Sequence, residues 1–172
     1  MTSLTIRFAE PADASLIADI SRKTFYDTFA AVNTSHNIHL FMSEQFSREA
    51  LINEVLTNDG IFLLAYLGDE LAGYVRMREG EKHPTFMNQP SIEIARIYVD
   101  NTFIGKNAGG RLMQECIRIA TEMNRIILWL GVWEHNDRAI AFYTKWGFEK
   151  FGEHEFVLGT DIQTDWLMKK KL

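Results

Sequence analysis

The chain of 172 residues has one cysteine, Cys116, and three prolines. A lone cysteine excludes an internal disulfide, and its lack of a partner suits a reducing cytoplasm. No repeat, low-complexity tract or proline- or glycine-rich linker interrupts the sequence. A single domain over residues 1–172 is therefore the expectation. The longest apolar runs, Ile61–Leu67 and Ile126–Leu130, fall far short of the roughly 20 residues that span a bilayer. The opening stretch MTSLTIRFAEPADAS lacks the basic region and apolar core of a secretory signal. A cytoplasmic location without membrane attachment is expected. The net charge of −5 argues against nucleic acid or an anionic membrane as the main partner. His36 and His39 have the spacing of a metal pair, but no further ligand cluster supports them, so no metal is expected. A G-x-S-x-G elbow is also missing.

What is present is ordinary globular composition, 47% hydrophobic and 24% charged. Leu4–Phe8 alternates like a strand, and Pro11 suits the first turn of a helix carrying Ala14, Ile17, Ala18 and Ile20 at helical spacing. That helical pattern runs on through Val32. His36–Ser43 and Arg48–Leu56 read as further helices, the second capped by Ser47. Ile61–Leu67 and Glu70–Arg78 read as a hairpin around Gly68-Asp69. Ser91–Val99 is a strand. A helix over Ala108–Asn124 places Leu112, Cys116, Ile119, Ala120 and Met123 on one face, with Arg111, Glu115, Arg118 and Glu122 opposite. Ile126–Val132 reads as a strand buried on both sides. Asn136 or Asp137 caps a helix that turns Ala139, Ile140, Phe142, Tyr143 and Trp146 inward, and Phe148–Leu158 and Thr164–Leu172 close the chain as strands. The order predicts an α/β fold: a mixed sheet, flanked by helices, with a parallel strand pair near its middle.

The loop Ile104-Gly105-Lys106-Asn107-Ala108-Gly109-Gly110 lies between a strand and a helix. Free amides at a helix start, approached over small residues, can cradle a phosphate. By itself the loop reads equally well as a plain strand-to-helix turn. It matches neither the P-loop spacing nor the dinucleotide fingerprint G-x-G-x-x-G. A second stretch, VWEHNDRAIAFYTKWGF, sets Asn136, Ala139, Tyr143 and Gly147-Phe148 in the pattern N-x-x-A-x-x-x-Y-x-x-x-G-F.

Taken together, the two stretches resemble the GNAT superfamily of N-acetyltransferases, whose loop usually reads Q/R-x-x-G-x-G/A. Here Ile104 replaces the polar first residue and Asn107 the middle glycine. Gly131-Val132-Trp133-Glu134, Phe151-Gly152-x-His154-x-Phe156 and Asp161-x-Gln163-Thr164-Asp165 are similar to patterns of the bacterial spermidine/spermine N-acetyltransferases, the PaiA-like branch. The resemblance implies a mostly antiparallel sheet with a splayed parallel pair, and acetyl-CoA as co-substrate. It places the diphosphate on Ile104, Gly105, Lys106, Asn107, Ala108, Gly109 and Gly110. The pantetheine arm would pair with the backbone of Ile97 and Val99, and Asn136 either touches that arm or only caps its helix.

The implied reaction is transfer of acetyl to a primary amine of a small molecule, with a polyamine favoured, by direct attack in a ternary complex. Tyr143 is the candidate general acid and Glu93 the candidate base, directly or through water. Glu134 is a second candidate for base or for binding a cationic substrate. Phe25, Tyr26 and Phe29, with Asp27, are candidates for the acceptor wall, and His135 and His154 could line it. Cys116 reads as core. The alternatives are a protein lysine or N-terminus as acceptor, and a non-catalytic acyl-CoA-binding module. A homodimer is the expected assembly.

Overall fold

The computed structural model describes residues 3–79 and 83–172. Strand β1 (Leu4–Phe8) leads into three helices, α1 (Ala14–Phe29), α2 (Ser35–Glu44) and α3 (Arg48–Leu56). Strands β2 (Ile61–Leu67), β3 (Glu70–Arg78) and β4 (Ser91–Val99) follow. The chain continues as α4 (Ala108–Glu122), β5 (Ile127–Trp133), α5 (Asp137–Lys145), β6 (Glu149–Leu158) and β7 (Asp161–Lys171).

Local chemistry sets most of the boundaries. Pro11 opens a short 3-10 turn, Pro11–Asp13, ahead of α1 and not α1 itself. The helical pattern that runs on to Val32 in sequence tightens after Phe29 into another 3-10 turn, Ala30–Val32. The hydroxyls of Thr34 and Ser47 accept from Asn37 and Ala50 N–H, both at 3.2 Å, capping α2 and α3. Helix α4 buries Leu112, Cys116, Ile119 and Ala120, while Arg118 on its outer face bridges Glu115 and Glu122. The last strand starts at Asp161, ahead of the Thr164 read from sequence, because Gly159 at φ 65° turns the chain tightly.

The strands form one seven-stranded sheet in the order β1-β2-β3-β4-β5-β7-β6. Among the described residues only β4 and β5 run parallel, and α4 is the crossover such a pair requires. On one face α4 and α5 pack Leu112, Met113, Cys116 and Tyr143 against Ile92, Ile94, Leu128 and Leu130. On the other, α1 and α3 lay Ile17, Ile20 and Val55 on Leu64 and Tyr74. Phe25, Phe41 and Phe46 extend that second layer as an aromatic cluster.

Two irregularities in β4 create the site. Arg76 stands opposite Arg96, but Met77 stands opposite Ile94, so Ala95 is an extra residue. A bulge of this kind bends its strand. The parallel pairing with β5 covers only Ser91–Ile127, Ile92–Leu128 and Glu93–Trp129. Past Glu93 the two strands part. Gly73 lets β3 hold the bent strand closely: a β-carbon there would stand 2.5 Å from the Tyr98 carbonyl oxygen.

Candidate active site

The parting of β4 and β5 opens a cleft of about 940 Å³ that passes between the strands. Its walls are β4 from Ile94 to Val99 and β5 from Gly131 to Trp133. The loop before α4 and one side of α5 line one end, and aromatic side chains of α1 and α2 line the other.

The loop end combines left-handed backbone, small residues and a helix start. Gly105 (φ 83°) and Asn107 (φ 66°) both adopt left-handed backbone, which glycine takes freely and asparagine more readily than most residues. A β-carbon on Gly105 would meet nothing within 4 Å, so the space beside it is open. Arg111 N–H donates to the Asn107 carbonyl at 3.1 Å, the first intrahelical bond of α4. The amides of Ala108, Gly109 and Gly110, which precede it, therefore have no partner within the helix and carry its partial positive charge. All three residues line the cleft. Free donors, small residues and open space fit a diphosphate group.

Tyr143 occupies the middle. It is the buried residue of α5, with its ring against Phe142 and Phe148 at 5.5 and 5.9 Å. Among the described residues nothing hydrogen-bonds its hydroxyl. Burial pushes the phenol pKa above its ordinary value, and neighbouring Cys116 adds to the shift. Burial likewise pushes the Cys116 thiol up to about 12, which keeps it neutral. Asn136 caps α5, its Oδ1 accepting from Ala139 N–H at 3.2 Å, and it also lines the cleft.

At the far end, cross-strand pairing sets Trp133, Asp165 and His154 side by side on one face of the sheet. The Asp165 Oδ2 lies 3.7 Å from His154 Nε2. Burial raises the carboxyl pKa of Asp165, and His154 pulls it only partly back. Gly131 leaves room beneath them, since a β-carbon there would stand 3.3 Å from His154 Nε2 and 3.7 Å from Asp165 Oδ2.

A sequence profile of the acetyltransferase (GNAT) family matches residues 22–148, a span that holds the loop, the cleft walls and Tyr143. The chain belongs to the acetyltransferase (GNAT) family. It is 34% identical over 172 residues to an uncharacterized N-acetyltransferase from the pepI 3' region of Lactobacillus delbrueckii subsp. lactis, covering 100% of this chain and 99% of the relative. It is 25% identical over 173 residues to the spermidine N(1)-acetyltransferase of Thermoplasma acidophilum, covering 98% of each. The GNAT fold is shared with the crystal structure of Thermoplasma acidophilum PaiA N-acetyltransferase in complex with coenzyme A, with a TM-score of 0.78, 24% identity and 99% of each chain covered. The Salmonella typhimurium yncA structure, which contains acetyl-CoA, has a TM-score of 0.74 at 18% identity and covers 99% of this chain and 95% of that one.

Within this GNAT chain the structure brings Ile97, Val99, Ile104, Gly105, Asn107, Ala108, Gly109, Gly110, Asn136 and Tyr143 onto one cleft. Several of the other candidate residues lie off it. Lys106 is off the wall, with its ammonium 5.0 Å from the centre of the Phe103 ring. Glu93 sits at the last rung of the parallel pairing, below the cleft, where Arg78 Nε holds its carboxylate at 2.5 Å. Glu134 also lies off the wall, 3.7 Å from His135. Phe25 and Phe29, one helical turn apart, face the cleft. Tyr26, about 100° further around α1, is 54% exposed and borders a separate hollow with Arg22 and His39. Asp27 is paired with Lys23.

Sequence reasoning missed Asp165 and Trp133 as cleft residues, and also Arg138 and Lys145 of α5. Asp165 and Trp133 both sit inside the short patterns that carried the resemblance. Strand alternation places Gln163 and Asp165 on one face, a signal that pointed to them. Arg138 and Lys145 are two helical turns apart and so share a side of α5.

Proposed function

We propose that this GNAT protein transfers the acetyl group of acetyl-CoA to the primary amine of a small molecule, by direct attack with both substrates bound. The observation that carries this reading is the continuity of the cleft. An anion-ready loop, a tyrosine hydroxyl unpaired among the described residues and a half-buried carboxylate follow one another along a single passage between β4 and β5. The coenzyme A of the Thermoplasma structure and the acetyl-CoA of the Salmonella structure support acetyl-CoA as the donor.

The amides of Ala108, Gly109 and Gly110 hold the diphosphate, and Arg138 and Lys145 add positive charge beside it. The backbone of Ile97 and Val99, on the β4 edge that β5 leaves unpaired, carries the pantetheine arm. Asn136 keeps its amide group available to the same arm, because its cap uses only the carbonyl oxygen.

An alkylammonium has a pKa of about 10.4 in water, so it must lose a proton before attack. Among the described residues, Asp165 is the carboxylate on the cleft wall. It accepts that proton, and His154 passes it outward. The amine nitrogen then bonds to the thioester carbon, the carbon–sulfur bond breaks, and the Tyr143 hydroxyl meets the departing sulfur. A second amine proton restores the phenol, so the products are the amide, the thiol and one released proton. Full transfer from a phenol near 10 to a thiolate near 8.5 is uphill by about 2 kcal/mol in unperturbed terms. Burial of Tyr143 makes that transfer harder still, so its hydrogen bond to the developing charge is its main contribution.

Polyamines enter this reading through the resemblance and the Thermoplasma spermidine relative, not through the chemistry of the cleft. A thiol-release assay with acetyl-CoA and a broad amine panel tests the proposal. Tyr143→Phe is expected to lower kcat by about 100-fold and to leave the Kd for CoA within about twofold. An unchanged kcat removes Tyr143 from the mechanism. CoA binding without turnover on any amine would make the chain a binding module.

A further inference from the structure

We propose that the acceptor is a monoamine with an apolar, preferably aromatic, body, its ammonium seated between the Asp165 carboxylate and the Trp133 indole. This assignment rests on the acetyl-transfer reading above and narrows its substrate class.

Charge is the first observation. Among the described residues Asp165 is the sole acidic side chain on the cleft wall. The other charged residues there, Arg96, Arg138 and Lys145, are all cationic, and Arg96 is already paired with Glu54. One carboxylate neutralises one ammonium. Each further ammonium of a polyamine would enter the cleft without a counter-charge, and an unpaired charge in an apolar site is strongly disfavoured.

The wall beyond Asp165 is the second observation. Phe29 meets Trp133 edge-on at 6.1 Å, Phe25 stacks on Phe41 at 4.6 Å, and Phe41 meets Phe156 at 5.6 Å. These rings join α1 and α2 to β5 and β6 in a continuous aromatic surface that faces the cleft. Such a surface favours apolar and aromatic bodies through burial and ring stacking.

The third observation is the row that fixes the ammonium. Asp165 stands directly across from Trp133 on one side and from His154 on the other. A cation at the carboxylate therefore lies beside the indole, which attracts it through its ring electrons. Gly131 keeps the approach open, because any side chain there would press on His154.

The test is a competition among amines on the intact protein at saturating acetyl-CoA. Phenethylamine, tryptamine, hexylamine, spermidine, spermine and a peptide with a free N-terminus are compared by thiol release. For phenethylamine or tryptamine, kcat/KM is expected to exceed that for spermidine by about tenfold or more. Asp165→Asn is expected to raise KM for the monoamines by about 30-fold, with Asp165→Glu recovering part of the loss. The Kd for CoA should stay within about twofold in both variants, which separates loss of the ammonium site from general damage. Trp133→Leu should penalise tryptamine more than hexylamine.

If spermidine, spermine or the peptide exceeds every apolar monoamine, the assignment is overturned while acetyl transfer stands. An unchanged KM in Asp165→Asn also overturns it. Bound CoA with no thiol released by any amine overturns both readings together.

Discussion

The guanidinium of Arg78 closes on the carboxylate of Glu93, Nε to Oε2 at 2.5 Å, at the point where β4 and β5 stop pairing. The carboxylate is thereby tied to β3 and kept off the cleft wall. Glu93→Gln is expected to lower kcat/KM by less than about fivefold and to cost at most about 1 kcal/mol of stability. Asp165→Asn should cost far more activity. Parallel kinetics on the two variants check this, and a reversed ranking would return the base to Glu93.

The loop before α4 depends on a close fit between Asn107 and Gly110. A β-carbon on Gly110 would stand 2.5 Å from Asn107 Oδ1, so Gly110→Ala must displace the residue that turns the chain into α4. The expected effect is about a tenfold rise in the Kd for CoA, about 1.4 kcal/mol, with little change in kcat at saturating acetyl-CoA. Adding Asn107→Gly removes the obstructing amide and should restore part of the affinity. Calorimetric titration of CoA into the unaltered protein and the two variants measures both effects.

Glu54 of α3 holds two guanidinium groups, bonding Arg76 at 3.1 Å and also pairing with Arg96. Both arginine side chains are largely buried. Removing the shared carboxylate leaves two buried cations short of a partner, which is expected to cost about 3 kcal/mol. Glu49→Gln, an exposed change on the same helix, should cost less than about 1 kcal/mol. Denaturant unfolding of the two variants gives the comparison, and equal losses would show that the shared carboxylate carries no special weight.

Asp165 is expected to lower stability at neutral pH. Its carboxyl pKa is raised by burial even with His154 pulling it down, so the folded state disfavours the ionised form. Stability from this group is full below the ordinary carboxylate range and is lost as pH rises through the raised value. Asp165→Asn should therefore stabilise the protein near pH 7, by about 1 kcal/mol, while lowering activity. The gain should shrink towards about pH 4. Melting curves at the two pH values test the sign, and a gain that persists in acid would refute the linkage.

Much of the fold is legible in the residues one after another. Helical spacing in α4, alternation in β1, the caps at Ser47 and Asn136 and the turn at Gly68 are local features, and local propensity acts within a few residues. The pattern from Asn136 to Phe148 identified the family for the same reason. The Asn107 backbone conformation was also readable, since asparagine is among the few side chains that accept a positive φ.

The chain's residues in order thus determined its elements, their sequence and the candidate loop and tyrosine. Which carboxylate lines the cleft was decided only by tertiary structure. Glu93 and Asp165 are both acids inside strands. The bulge at Ala95 and the short pairing of β4 with β5 leave Glu93 below the cleft, bound to Arg78. Cross-strand register brings Asp165 between Trp133 and His154, residues 32 and 11 positions away from it in the chain. No local preference encodes that meeting, because it arises from how the strands align once the sheet has closed around its core.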